Sequence, residues 1–310
     1  YTEGDLKGTG VISTSWSIDR QAILSNQSWD IAKYGKIKTV ELSGWDTAKK
    51  EMIETTFFSG GGGAVRKYQL KGPGIWEGSA RSFHADGAVE ISTVRQERKS
   101  NDEFVWLETN RRKNGAPGED VRSIFRRVKP EAVEQPGESL AFTKLKELNE
   151  FVGYWEGRGK MPESANLSES GAEWAGMPVV VKRHVFWGPG MSSQIINQVW
   201  EIPGEVSIRS SSVRGWDSNE KKIKQHIYTT HLGSWIATVE KVGDNWTMPY
   251  EGFNLDGANC SGVVEVVATE DGYVETEKNC IVNGKPIPDM SIEFQRVDLL
   301  TDQSIHAVHM

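Results

Sequence analysis

Residues 16–46 read WSIDRQAILSNQSWDIAKYGKIKTVELSGWD, and residues 187–217 read WGPGMSSQIINQVWEIPGEVSIRSSSVRGWD. Trp16, Trp29 and Trp45 return as Trp187, Trp200 and Trp216, about 171 positions later, and Gly44-Trp45-Asp46 returns as Gly215-Trp216-Asp217. Trp76 returns as Trp246 at a spacing of about 170. The chain has only 12 tryptophans among 310 residues, so four matches in order at a nearly fixed offset identify a tandem duplication. Asp86-Gly87 and Asn114-Gly115-Ala116-Pro117 extend it, returning as Asp256-Gly257 and Asn283-Gly284-Lys285-Pro286. A period of roughly 150 residues per copy is far longer than a solenoid or propeller unit, so each copy is expected to own a core.

Within each copy the pattern has period two. Ile12, Thr14, Trp16 and Ile18 share one face, with Ser13, Ser15 and Ser17 on the other; Gln27, Trp29 and Ile31 share a face, as do Gln198, Trp200 and Ile202. Such runs, broken by turn signals about every 8–12 residues, indicate antiparallel strands in a sandwich or barrel. Sequential hairpins favour an up-and-down barrel, because closure removes exposed edges. The expected fold is all-β: two tandem antiparallel β-barrels joined by a linker and a short helix. Residues 1–130 form the first barrel, 131–150 the linker and helix, 151–300 the second barrel, and 301–310 a patternless tail. The linker carries Pro130 and Pro136; Leu140, Leu145, Leu148 and Phe151 then recur at helical spacing up to Gly153.

The run Phe151-Val152-Gly153-Tyr154-Trp155-Glu156-Gly157 after an apolar helix resembles the opening of lipocalin-like, calycin-type bacterial domains of unknown function. Gly215-Trp216-Asp217, Trp246 and Asn283-Gly284-Lys285-Pro286-Ile287-Pro288-Asp289 extend the resemblance. It implies a lipocalin-like barrel and no particular reaction. Tyr1-Thr2-Glu3-Gly4 echoes Tyr154-Trp155-Glu156-Gly157, which makes Tyr1 the expected start of the first strand.

Net charge is −7 and no basic stripe occurs, which argues against nucleic acid as a partner. No run approaches the ~20 apolar residues of a membrane-spanning helix. The chain begins at Tyr1 without a signal peptide, so either a leader has been removed or the start is missing. Cys260 and Cys280 flank a strand–turn–strand pattern centred on Thr269-Glu270-Asp271-Gly272. The simplest hairpin register places them opposite each other and predicts a disulfide, hence a periplasmic or extracellular location; a shift of one residue would spoil it.

Candidate site residues are few. Trp16, Gln27 and Trp29, with Trp187, Gln198 and Trp200, would line one interior wall in each barrel, as a ligand pocket or as a closed core. His226, beside Tyr228 on one face, is a candidate for acid–base work, as is His231. His226 and His231 fall on opposite faces of a regular strand, which speaks against a shared metal; no metal and no cofactor is expected. Asp46 and Asp217 read as turn formers bonding their own backbone, and Gly60-Gly61-Gly62-Gly63 as a hairpin loop. The expected function is binding of a small apolar or amphipathic molecule in a Trp-lined barrel. The alternatives are an enzyme of isomerase, cyclase or hydrolase type working at the mouth of the second barrel, and a structural or assembly module with filled barrels.

Overall fold

The computed structural model describes residues 2–3, 6–16, 22–31, 35–46, 49–127, 141–163, 174–188, 191–204, 207–230, 233–254 and 257–298. The first half contributes β1 (Thr2–Glu3), β2 (Leu6–Trp16), β3 (Ala22–Ile31), β4 (Gly35–Asp46), β5 (Glu51–Phe58), β6 (Gly62–Gly72), β7 (Ile75–His84), β8 (Val89–Arg98), β9 (Glu103–Lys113), β10 (Ala116–Pro117) and β11 (Val121–Arg126). A single helical turn, α1 (Phe142–Leu145), runs into a 3-10 helix over Lys146–Phe151. The second half adds β12 (Gly153–Lys160), β13 (Pro178–Trp187), β14 (Ser193–Glu201), β15 (Ile208–Asp217), β16 (Lys222–Thr229), β17 (Gly233–Val242), β18 (Asn245–Phe253), β19 (Asn259–Ala268), β20 (Gly272–Val282), β21 (Lys285–Pro286) and β22 (Met290–Val297).

The second half is a closed antiparallel barrel of ten strands. Consecutive hairpins run from β12 to β20; β20 pairs with β22, and β22 returns to β12. Closure leaves β12 no free edge. Alternation along β13 turns Val181, Arg183, Val185 and Trp187 inward and His184 outward, where its ring stacks on Tyr154 at 4.1 Å. The helical segment packs into this barrel: Leu145 and Leu148 are fully buried and Phe151 nearly so, in one cluster with Trp155, Val181, Trp246 and Tyr273. Burying each of these side chains is worth about 1.5–3 kcal/mol. Hydrogen bonds fix the segment. Gln194 Nε2 donates to the Leu148 carbonyl at 2.7 Å, Trp246 Nε1 to Glu150 at 2.6 Å, and Trp187 Nε1 to Asn149 at 3.1 Å.

The first half forms a second antiparallel sheet, in which hairpins run from β2 to β9 and β11 pairs with β9. The short β1 pairs with both β11 and β2. One face carries Ala22, Leu24, Val40, Leu42, Phe57 and Phe83, and this face meets the outside of the second barrel at Ile195, Val213 and Tyr228. The contact joins equivalent positions of the two copies: Leu24 corresponds to Ile195, Leu42 to Val213 and Phe57 to Tyr228. It is also reciprocal. The Tyr228 ring lies on Gly44, and the Phe57 ring lies on Gly215, the position equivalent to Gly44. A Cβ at either glycine would overlap the ring. The halves are therefore related across their contact by an approximate two-fold axis, and the Gly of each Gly-Trp-Asp motif is the seat for the other copy's aromatic.

The disulfide expectation is overturned. At the turn Ala268 faces Tyr273, one step from the expected register, and the ladder slips again between Ser261 and Val263, opposite Asn279 with φ 52°. Cys260 consequently faces Val282. Both cysteines are buried and neither is in a disulfide, so they carry no information about the compartment. No helix among the described residues is long and apolar enough to cross a membrane.

Candidate functional site: the cleft between the repeats

The interior of the second barrel is occupied by its own side chains. Arg183 donates to both carboxylate oxygens of Glu275 at 2.6 and 2.8 Å, to the Tyr273 hydroxyl at 3.1 Å and to Gln198 Oε1 at 2.9 Å. Its guanidinium lies 4.2 Å from the centroid of the Phe294 ring. Arg214 donates to Gln225 at 2.6 Å, and burial, with Arg183 nearby, lowers its guanidinium to about 10. Gln198 thus serves a buried arginine. Trp200 packs against the core cluster, and Trp187 is held by Asn149 and by an edge contact with Phe142.

The corresponding face of the first sheet is also polar. Trp29 Nε1 donates to Gln27 Oε1 at 3.1 Å, and Gln27 Nε2 donates to Glu41 at 2.9 Å. Arg66 pairs with Glu54 at 2.5 Å and stands 3.8 Å from Glu41. Burial pushes the Glu41 carboxyl up to about 8; the Glu54 charge adds to this, against the pull of Arg66. Trp16 sits at the end of β2 and is 55 % exposed.

Where the two halves diverge from their mutual contact, a cleft of about 410 Å³ opens. Asp46, Lys49 and Lys67 come to it from the first half, and His226, Tyr228 and Glu251 from the second. Its apolar surface is supplied by Ile53 and Val65 on one side and by Ile236, Phe253 and Ile281 on the other. Ile236 and Ile281 are 41 % and 43 % exposed. The sheet alternation that turns Gly44 towards Tyr228 also turns Asp46 to this side, two residues on. No protein-family model, curated protein or solved structure matches this chain.

His226 and Tyr228 do lie together on one face of β16, and that face points out of the barrel to the repeat contact. Each is held by the other half: His226 Nδ1 is 3.0 Å from Thr55 Oγ1, and the Tyr228 hydroxyl donates to the Ile53 carbonyl at 3.2 Å. Burial drives the imidazole down to about 4, so it is neutral at pH 7, and pushes the phenol up. His231 lies outside the described residues. Among the described residues no group of three His, Cys, Asp or Glu side chains converges as metal ligands would.

Asp46 and Asp217 both act as turn formers, as their sequence context suggests. Asp46 Oδ1 accepts from the Lys49 amide at 2.8 Å, and Asp217 Oδ1 from the amides of Asn219 and Glu220 at 2.9 Å. The sequence reading did not find the cleft, because its walls come from different copies. It also passed over Arg183 and Arg66. The available signal was an arginine on the apolar side of a period-two run, between Val181 and Val185 and between Ala64 and Tyr68.

Proposed function

We propose that this protein binds a small amphipathic molecule, and that the site is the cleft between the repeats. The observation that carries the proposal is the cleft itself: about 410 Å³, lined by apolar and polar side chains from both halves, within the ordinary size range of small-molecule sites. The barrel interior loses its claim on the ligand in the second copy, where the helical segment and the Arg183–Glu275 pair occupy it. In this reading both halves are lipocalin-like barrels, the first closed through β1, and they serve as walls around the site. Trp187, Gln198 and Trp200 then belong to barrel structure, and His226 and Tyr228 to the repeat contact.

Fluorescence titration with the amphipathic dye anilinonaphthalene sulfonate, followed by NMR mapping on the full chain, tests the reading. Shifts concentrated at Ile53, Ile236, Phe253 and Ile281 are expected. Shifts confined to the inner faces around Trp29 or Trp200, or no saturable binding, would overturn it.

A further inference from the structure

The cleft contains a buried acceptor with no hydrogen-bond donor. Asp46 is fully buried, its Oδ1 is engaged by the turn, and its Oδ2 has no hydrogen-bond partner. The nearest cation is the Lys49 ammonium at 3.7 Å, beyond hydrogen-bond range, on a side chain 61 % exposed. A buried carboxylate oxygen without a donor is costly, and such groups are nearly always satisfied. The repeat supplies an internal control. Asp217 holds the same turn, but its outer oxygen is not left buried and unpartnered. The orphan thus occurs in the copy whose aspartate lines the cleft.

We propose that Asp46 Oδ2 is the polar anchor of the cleft and that it receives the ammonium group of an amphipathic amine; this rests on the cleft being the binding site. Asp46 and Glu251 balance Lys49 and Lys67 in formal charge along the cleft, and Lys67 is itself within 3.9 Å of Glu51. Selectivity therefore comes from the buried, unbonded Asp46 oxygen, which unlike that of Glu51 belongs to a residue lining the cleft, rather than from the overall field. A charge-assisted bond to it is about twice as strong as a neutral one. The Lys49 ammonium is exposed, hydrated and 3.7 Å away, so it holds this oxygen only weakly and leaves it available to a donor in the cleft. The alkyl part of such a ligand lies against Ile236, Phe253 and Ile281.

The test is a calorimetric and NMR titration of the full chain at pH 7 with octylammonium, octanol and octanoate. All three share one alkyl chain and differ in the head group. Octylammonium is expected to bind about tenfold more tightly than the other two, with shifts in the cleft. Asp46→Asn retains an Oδ1 acceptor for the turn and should remove that preference while leaving octanol binding in place. Lys49→Met, which takes away the competing ammonium, should strengthen octylammonium binding several-fold. Octanoate binding as well as octylammonium in the cleft, or an unchanged preference in Asp46→Asn, overturns the anchor and leaves the cleft reading standing. Failure of all three probes to shift cleft residues overturns both.

Discussion

The inner face of the second barrel and the matching face of the first sheet descend from one repeat, yet they are charged in opposite senses. Around Arg183 and Arg214 the second barrel sets two guanidiniums near one carboxylate, Glu275. Around Arg66 the first sheet gathers the carboxylates of Glu41, Glu54 and Glu108. In the second barrel Arg214 keeps its charge at pH 7, its pKa lowered only to about 10, and is held by Gln225 and the Phe151 ring; the first sheet instead keeps a proton on Glu41. One backbone pattern thus tolerates either sign, provided that each buried charge has a partner or is neutralised.

The largest effect expected from this contrast is at Arg183. Replacing it by methionine leaves the half-buried Glu275 carboxylate unpaired and should cost about 3–5 kcal/mol in a denaturant titration. Arg183→Met with Glu275→Leu should recover most of the loss, since an apolar pair of similar volume is often neutral. A double variant no more stable than the single one would show that the pair does more than neutralise itself.

The repeat contact gives the next largest effect. Gly44→Ala and Gly215→Ala each place a methyl group against the opposing ring, and each should cost about 1–3 kcal/mol by overpacking. The two-fold relation predicts similar losses. A cost at only one of them, read as a fall in melting temperature, would show the contact to be one-sided.

Much of the first sheet and of the barrel was visible in the sequence. Trp29 and Gln27 share a face, Trp187 and His184 do not, and Leu145, Leu148 and Phe151 bury together, all from residue spacing. Leu140 of the expected helix lies outside the described residues; among those described, Phe142–Leu145 is α-helical and Lys146–Phe151 tightens to a 3-10 helix that still buries Leu148 and Phe151 in the barrel. The cysteine register was misread because the offset lies in a bulge at Asn279, a local backbone choice that period-two alternation does not encode. The cleft was invisible for a different reason. Asp46 and Phe253 are far apart in sequence and on different copies, and only the packing of the two halves brings them to one cleft.

A smaller effect is read in the pH dependence. In the folded chain Glu41 holds its proton up to about 8, whereas the unfolded carboxyl releases it near 4.5. The folded state therefore binds more protons across this window, and its stability falls as pH rises through it. Glu41→Gln should flatten the decline between pH 5 and pH 8 in a series of thermal melts. A slope unchanged by the substitution would place the proton elsewhere. His226 has the opposite sign. Its folded value, about 4, is below its ordinary one, so its contribution is lost as pH falls from 6.5 towards 4.

The smallest effect concerns Thr55. It occupies the position equivalent to His226 and bonds to it across the contact, so Thr55→Val removes one partner of a buried imidazole. A loss of about 0.5–1.5 kcal/mol is expected, with the His226 resonance moving in a proton NMR titration. No change in either would exclude the bond.

The mutual seating of Phe57 on Gly215 and Tyr228 on Gly44 is the geometry of an isologous homodimer, built within one chain. In a homodimer every substitution at the interface appears twice, and a cleft on one side of the axis has an identical twin on the other. Covalent fusion lifts that constraint. Position 226 can be histidine while its counterpart, 55, stays threonine, and one Gly-Trp-Asp turn can border an open cleft while the other stays an ordinary corner. Each half also meets the other at a concentration set by the length of chain between them, so the pairing does not depend on how much protein is present.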